Sequence, residues 1–349
     1  MVILTNGGSI IPASLRLQVK SVEGMSNEIT TMTSRWRRFV GLVAACVVFA
    51  ACSGSVCSAA AAEDGAPGEE LVLRDGIVIP PVGRYGRSAV HTDAIEAELV
   101  AGQWRAPKSG DVVTLPDGSV KTWEPIHAGE DGWFRHAALG GGYVYVAVPA
   151  GHEHVMLLEA AGHAMVYVNG EPRTGDPYGH GYVRLPVRLR QGKNELLFQV
   201  GRGQLRAKLL PAKSAVQFDL ADNTLPDLIV GEPVNFEAAV VLLNAATETA
   251  DSLAIEAALP GGEPQRTPVP SLLPLGVRKV GIRLQAPAPA AAGECAADLK
   301  LLARDDGEWR ELDTARITLR IVTPDQTHKR TFRSAIDGSV QYYAVVPAK

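Results

Sequence analysis

The chain has 349 residues, of which 46% are hydrophobic and 21% are charged. This composition is typical of a globular protein and excludes wholesale disorder. The formal net charge is −4, from 34 Lys and Arg against 38 Asp and Glu. Because no basic excess is available to neutralise a phosphate backbone, nucleic acid is not an expected partner.

A secretory leader is predicted at the N-terminus. Arginines within residues 34–38 precede the uncharged run Phe39–Ala51, and small residues follow as far as Ala62. This order of basic, apolar and small-residue regions is that of a signal peptide, and the apolar run is too short for a comfortable membrane span. We therefore interpret residues 1–62 as a leader, with Met32 the favoured true start, and expect an extracytoplasmic protein, either periplasmic or secreted.

Two processing routes remain open for this leader. Residues 60–62 (AAA) fit an ordinary signal peptidase site, whereas residues 49–52 (FAAC) resemble a lipobox, in which Cys52 would be acylated and held on a membrane. Phe is a poor first residue for a lipobox, so soluble export is favoured and a lipid anchor at Cys52 is the alternative. Cleavage after Ala62 would leave Cys295 alone, so no intrachain disulfide is expected.

Beyond the leader, the sequence predicts an all-β protein. Apolar residues alternate with a period of two in short runs that are bounded by Gly, Pro and Asn. A single short helix is predicted over Asp93–Val100. Strands are predicted over residues 143–148, 154–160, 164–168, 182–189, 195–200 and 204–210. Short strands at this regular spacing predict an antiparallel β-sandwich of the jelly-roll type over residues 70–213.

A second block of strands begins after a boundary near residues 211–214. Its segments between strands are rich in Pro and Gly. Strands are predicted over residues 216–220, 234–243, 252–259, 277–284, 297–303 and 314–322. A block of this size and strand number is typical of an immunoglobulin-like sandwich, which we assign to residues 214–323. The antibody-type Cys and Trp core is absent, so only the architecture is predicted.

The last residues, 324–349, predict a β-hairpin stub. Alternating runs over residues 331–336 and 340–346 flank Asp337-Gly338, a dipeptide typical of tight turns. A hairpin alone is marginal in water. We therefore expect this segment to be the least stable ordered part of the chain, and to be the first piece of a further sheet for which no sequence remains.

Three segments of the first block carry a resemblance to a known family. They read VYVNG over residues 166–170, GYVRLPV over 181–187 and GKNEL over 192–196, and they resemble the galactose-binding-like jelly roll of secreted bacterial hydrolases. The second block is similar to an immunoglobulin-like spacer. The terminal segment, residues 336–347, resembles the strand pair that opens the catalytic sheet of secreted α/β-hydrolases of the prolyl oligopeptidase or esterase type.

This resemblance implies the non-catalytic binding and spacer region of an exported serine hydrolase, with residues 324–349 as a truncated start of the catalytic domain. The G-x-S-x-G nucleophile elbow of that family is missing, since residues 86–90 (GRSAV) lack the second glycine. No catalytic residue is therefore predicted on this chain, and its status as part of an enzyme stays open. The alternative is a free-standing extracytoplasmic protein that binds carbohydrate or acts at the cell surface.

One predicted loop is a candidate ligand site. Residues 173–181 (RTGDPYGHG) place Asp176, Tyr178 and His180 between two strands. Sugar sites combine a flat ring with a carboxylate or amide that accepts hydroxyl hydrogen bonds. Trp133 is a candidate for a further stacking face, so the expected partner is a carbohydrate or another polymer. The alternative interpretation is a long turn beside core tryptophans.

No cofactor and no metal site are predicted. His152 and His154 are spaced to share one strand face, but no carboxylate or cysteine completes a recognisable ligand pattern beside them. Acidic residues in the turns at 130–132 and 305–307 lack the alternating carboxylates of a calcium loop. Both features are interpreted as polar edges and turns.

Overall fold

The computed structural model describes residues 69–84 and 92–348. The predicted leader, with Cys52, lies outside the described residues. No helix in the described part of the chain is long and apolar enough to cross a membrane. The elements are β1 (Leu71–Val72), β2 (Asp75–Ile79), β3 (Gly83–Arg84), β4 (Thr92–Asp93), α1 (Ala94–Val100), β5 (Val112–Thr114), β6 (Val120–Thr122), β7 (Glu124–His127), β8 (Trp133–Arg135), a 3-10 turn (Ala137–Leu139), β9 (Tyr143–Ala150), β10 (His154–Ala161), β11 (His163–Val168), β12 (Glu171–Thr174), β13 (Arg184–Leu189), β14 (Gly192–Val200), β15 (Gln204–Pro211), β16 (Val216–Thr224), β17 (Leu228–Ile229), β18 (Val234–Asn244), β19 (Leu253–Ala258), β20 (Gln265–Val269), β21 (Val277–Ala286), β22 (Gly293–Asp305), β23 (Glu308–Val322), β24 (His328–Arg333) and β25 (Val340–Val345).

The first sandwich consists of two antiparallel sheets. One has the strand order β1-β15-β10-β13, with β8 paired to β15, and the other has the order β12-β11-β14-β9-β2-β7. Buried side chains from both sheets meet in one core, among them Val146, Leu158 and Phe198. Because successive residues of a strand point to opposite faces, the period-two pattern supplies one apolar face to each sheet. The predicted all-β sandwich class is confirmed.

Strand β9 departs from simple alternation. Its residues Tyr143, Val144, Tyr145 and Val146 are all buried. The outer face of its sheet is covered by a second apolar cluster, to which α1 and Trp123 contribute. A continuous apolar run is what a strand buried on both faces requires, which explains the sequence of this strand.

The second sandwich packs a sheet of order β16-β18-β21 against one of order β17-β23-β22-β19-β20. Its strands are antiparallel, except that β17 pairs with β23 in parallel. Strands β22 and β23 have 13 and 15 residues and extend well beyond the ranges that the sequence predicts. The ends that flank their turn are exposed on both faces and, apart from Trp309, polar, so no hydrophobic alternation marks them. Asp306 and Gly307, both with positive φ, make the turn between them.

The two sandwiches touch through a small apolar cluster. Leu157 of the first sandwich and Val241 and Leu243 of the second are buried together there. Arg184 of β13 donates hydrogen bonds to Glu159, at 2.8 Å, and across the contact to Asp219, at 3.2 Å. Arg184 directly follows the loop over residues 175–183, so its bond to Asp219 holds the end of that loop against the second sandwich.

Candidate functional site

The C-terminal hairpin, β24 and β25, is fastened to the second sandwich. Asp227 is 2% exposed and precedes β17. Its carboxylate accepts two hydrogen bonds from the Arg320 guanidinium, at 3.1 and 2.6 Å, and one from the backbone N–H of Lys329, at 2.7 Å. The backbone N–H of Asp227 also donates to the Lys329 carbonyl, at 2.9 Å. Burial works to raise the pKa of Asp227, but the Arg320 and Lys329 contacts outweigh it and lower that pKa.

Further contacts run along the hairpin. The Thr331 hydroxyl donates to the carbonyl of Glu237, whose carboxylate pairs with Arg333 at 2.8 Å. Arg330 pairs with Glu232 at 2.7 Å. The sequence predicts a marginal hairpin because these partners lie about a hundred positions away in the chain and leave no local signal. The structure shows a docked hairpin in its place.

A cleft opens where this hairpin, the second sandwich and a loop of the first sandwich meet. Its volume is 510 Å³, within the usual range of ligand sites. Tyr182 lines it from the first sandwich and is 53% exposed, and Tyr342 lines it from β25 and is 62% exposed. The polar part of the lining comprises Asp222, Asn223, Thr224, Lys279, Lys329, Ser339 and Gln341.

Asp176 organises the loop that carries Tyr182. It is buried, and its two carboxylate oxygens accept hydrogen bonds from the N–H groups of His180, at 3.1 Å, and Gly181, at 2.6 Å. Its carbonyl accepts from the N–H of Gly162, at 2.8 Å. The carboxylate therefore holds its own loop together. Its predicted role as an acceptor for ligand hydroxyls stays a prediction.

Tyr178, His180 and Tyr182 form an aromatic ladder. The ring centroids of Tyr178 and His180 are 5.7 Å apart and those of His180 and Tyr182 are 5.2 Å apart, with interplanar angles of 24° and 22°. The Arg202 guanidinium lies 4.3 Å from the Tyr178 centroid at the far end. The residues between the rings, Gly179 and Gly181, both have positive φ, so the ladder lies on an irregular loop and not on a strand. Tyr178 and His180 stack in series behind Tyr182 and support its ring, although the sequence predicts Tyr182 in a strand.

Trp133 lies two strands across the sheet from Ala161, on which Gly179 of the ladder segment packs. It is half-buried on β8, where the Arg206 guanidinium lies 5.0 Å from its ring centroid. It is absent from the lining of the cleft within the described residues. Trp133 is therefore not part of the cleft, and its role as a further stacking face stays a prediction.

A buried histidine lies close to Asp176. His163 is 1% exposed and meets the Phe198 ring edge-on, with centroids 5.5 Å apart. Neither ring nitrogen of His163 has a hydrogen-bond partner among the described residues. Burial lowers the pKa of His163 to about 4, against a smaller opposing effect of the Asp176 charge. The imidazole is therefore neutral near pH 7.

Within residues 69–84 and 92–348, no three or more His, Cys, Asp or Glu side chains lie close enough together to hold a metal ion. The rings of His152 and His154 are in contact at an interplanar angle of 35°, with centroids 4.8 Å apart. Nδ1 of His154 is 2.9 Å from the carbonyl oxygen of His152. This pair is therefore part of a local turn contact at the start of β10.

The amino-acid sequence matches no known protein family. No protein-family model matches the chain, and no curated protein matches it. Among solved structures, beta-glucuronidase 2 of Bacteroides uniformis is 12% identical over 78% of this chain and 34% of its own, with a TM-score of 0.35. An exo-chitosanase of Amycolatopsis orientalis is 13% identical over 79% and 36%, with a TM-score of 0.32. A beta-glucuronidase of Parabacteroides merdae is 12% identical over 76% and 36%, with a TM-score of 0.32.

These comparisons correct the predicted kinship. The similar structures are glycoside hydrolases, so the assignment to a prolyl oligopeptidase- or esterase-type serine hydrolase is wrong. This chain spans about a third of the length of the chains it matches. Similarity at this level carries no conclusion about the ligand or activity of this chain, which have to be argued from the cleft.

Replacing Asp176 with alanine is expected to destabilise the loop over residues 175–183, which carries the aromatic ladder and is called the ladder loop below. The change leaves the N–H groups of His180 and Gly181 without their acceptor. Because both bonds are only partly buried, water replaces part of the loss, and the cost should be about 1 kcal/mol. Urea unfolding and near-ultraviolet circular dichroism would report the loss of stability and of tyrosine order. The matched control is Asp117→Ala in an exposed turn, where the carboxylate accepts from the Ser119 N–H. An Asp176→Ala protein as stable as this control would contradict the assigned role.

Proposed function

We propose that this chain binds carbohydrate in the cleft between Tyr182 and Tyr342. The observation that carries the proposal is that two exposed tyrosine rings, from separate parts of the fold, line one cleft whose remaining wall is rich in polar side chains. A sugar presents apolar ring faces to aromatic side chains and a rim of hydroxyls to polar ones. The cleft supplies both kinds of group within one volume.

The polar groups of the cleft suit hydroxyl recognition. Asn223, Thr224, Ser339 and Gln341 are neutral side chains that together both donate and accept hydrogen bonds. The Asn223 amide donates to the Leu220 carbonyl at 3.0 Å, while its Oδ1 has no partner among the described residues. The extracytoplasmic location, which remains part of the proposal, would bring such a site into contact with polysaccharides.

Removal of either tyrosine ring of the cleft is expected to weaken sugar binding. Calorimetric titration of the full chain with oligosaccharides of cellulose, xylan, chitin and galacturonan should identify a ligand. Tyr182→Ala and Tyr342→Ala should each raise its Kd by about tenfold, the upper range for loss of one stacking contact. The matched control is Tyr343→Ala. This neighbour lies on the opposite face of β25, with its ring 6.1 Å from that of Phe332.

Tyr343→Ala should leave the Kd unchanged, because its ring does not line the cleft within the described residues. Two results would contradict the proposal. One is that no oligosaccharide of the panel binds. The other is that Tyr343→Ala weakens binding as much as Tyr342→Ala does.

A further inference from the structure

We propose that the ligand of the cleft is an acidic oligosaccharide, whose uronate carboxylate binds the Lys329 ammonium; this inference rests on the function proposed above. Three charged side chains line the cleft: Asp222, Lys279 and Lys329. Asp222 and Lys279 form an ion pair at 2.8 Å and so neutralise each other. The Lys329 ammonium forms no ion pair with any of the described residues. The lining therefore carries one uncompensated positive charge.

The position of Lys329 is set by the hairpin. Its backbone N–H and carbonyl are both bonded to Asp227, so the root of the side chain is fixed. The Asp227 carboxylate is the acidic group next to Lys329, and it is buried and engaged by the Arg320 guanidinium. That carboxylate is thus already compensated, and the side chain of Lys329 is exposed.

Lys329 and Tyr342 share one face of the hairpin. In the β24–β25 register, Lys329 faces Ala344 and Thr331 faces Tyr342, so Lys329 and Tyr342 are diagonal neighbours. Diagonal neighbours lie about 7–8 Å apart, within reach of long side chains. A pyranose ring stacked on Tyr342 would therefore hold a substituent at its edge close to the lysine ammonium.

The charge of the lining favours a carboxylate over a phosphate. The single unpaired ammonium matches the single charge of a uronate carboxylate better than the nearly double charge of a phosphate ester. The described lining of the cleft contains no arginine. A sulfated sugar shares the anionic chemistry, so the test includes it as a separate arm.

The test compares tetragalacturonate with its methyl ester, in which each carboxylate is replaced by an uncharged and slightly larger ester group. Titrated into the full chain, the acid should bind about tenfold more tightly than the ester, because a charge-assisted hydrogen bond replaces a neutral one. Lys329→Gln should reduce binding of the acid to the level of the ester and leave the ester unaffected. Raising NaCl from about 50 to about 500 mM should narrow the difference in the unmodified protein, because salt screens an exposed charge.

The matched control is Lys300→Gln, at an exposed lysine of β22 that pairs with Glu311 at 3.8 Å outside the cleft. It should leave both affinities unchanged. Equal binding of acid and ester, tighter binding of a sulfated oligosaccharide than of the uronate, or an acid preference that survives Lys329→Gln would overturn the inference while leaving carbohydrate binding intact. If no oligosaccharide binds at all, the proposed function and this inference both fail.

Discussion

Asp227→Ala is expected to release the C-terminal hairpin and to abolish binding in the cleft. The change removes the acceptor for both Arg320 bonds and for the Lys329 N–H. Breaking a fully buried ion pair costs about 3–5 kcal/mol, and here the cost should be about 2–3 kcal/mol because Arg320 is half exposed and regains water. Since Lys329 and Tyr342 belong to the hairpin, the wall of the cleft is lost with it.

Urea unfolding and hydrogen exchange of the full-length variant would measure this effect. Amides of β24 and β25 should exchange faster, and the Kd of the ligand should rise beyond measurement. The matched control is Glu232→Ala, which removes the partner of Arg330 on the same hairpin. That pair is solvent-accessible and should contribute less than about 1 kcal/mol. Equal effects of the two substitutions would show that Asp227 has no special role in holding the hairpin.

Acid is expected to destabilise the protein through His163. The pKa of this buried imidazole is about 4, while the unfolded chain titrates at its ordinary value of 6.5. Between these values the unfolded state binds more protons than the folded state, so the stability present above pH 6.5 is lost as the pH falls towards 4. Integrated over this window, the loss is about 3 kcal/mol.

His163→Leu should remove this component of the pH dependence. It replaces two unpartnered ring nitrogens with an apolar side chain against Phe198, so stability at pH 7 should be maintained or increased. Urea unfolding at pH values from 7 to 4 would measure both effects. His154→Leu, at a partly exposed position of β10, serves as the control and should keep the acid loss. A parallel decline of the His163→Leu and unmodified proteins would refute the assignment.

The strands were largely predictable from the sequence because their signal is local. The predicted runs at 143–148, 154–160 and 234–243 lie within β9, β10 and β18. The helix begins at Ala94, one residue later than predicted, and the Asp93 carboxylate caps it by accepting from the Glu96 N–H. Alternation of apolar residues and turn residues carries this information over a few positions.

The cleft was not predictable in the same way. Tyr182 and Tyr342 are far apart in the chain. The hairpin that carries Tyr342 forms one wall of the cleft because Asp227 binds Arg320 and Lys329. The sequence shows that a residue is charged, but it does not show which distant residue that charge pairs with. Asp176 illustrates the same limit, because a carboxylate in a loop can accept hydrogen bonds from a ligand or from its own backbone. The bonds to the backbone N–H groups of His180 and Gly181 become visible only in the structure.

The mistaken kinship has a physical reason as well. The segment over residues 336–347 specifies a tight turn at Asp337 and Gly338 followed by an alternating strand. Many β-hairpins share that pattern, since it reflects backbone geometry rather than descent. A short match of this kind supports a hairpin, which the structure contains, and does not support a catalytic domain.

Hydrogen exchange with and without a bound oligosaccharide tests the central claim most directly. The full chain, saturated with the tightest ligand of the panel, should show slower exchange in three separate segments: the ladder loop around Tyr182, the cleft wall at residues 221–225 and the hairpin at residues 338–342. Simultaneous protection of all three is the result that our account predicts. Protection confined to the neighbourhood of Trp133, or absent from the hairpin, would contradict it.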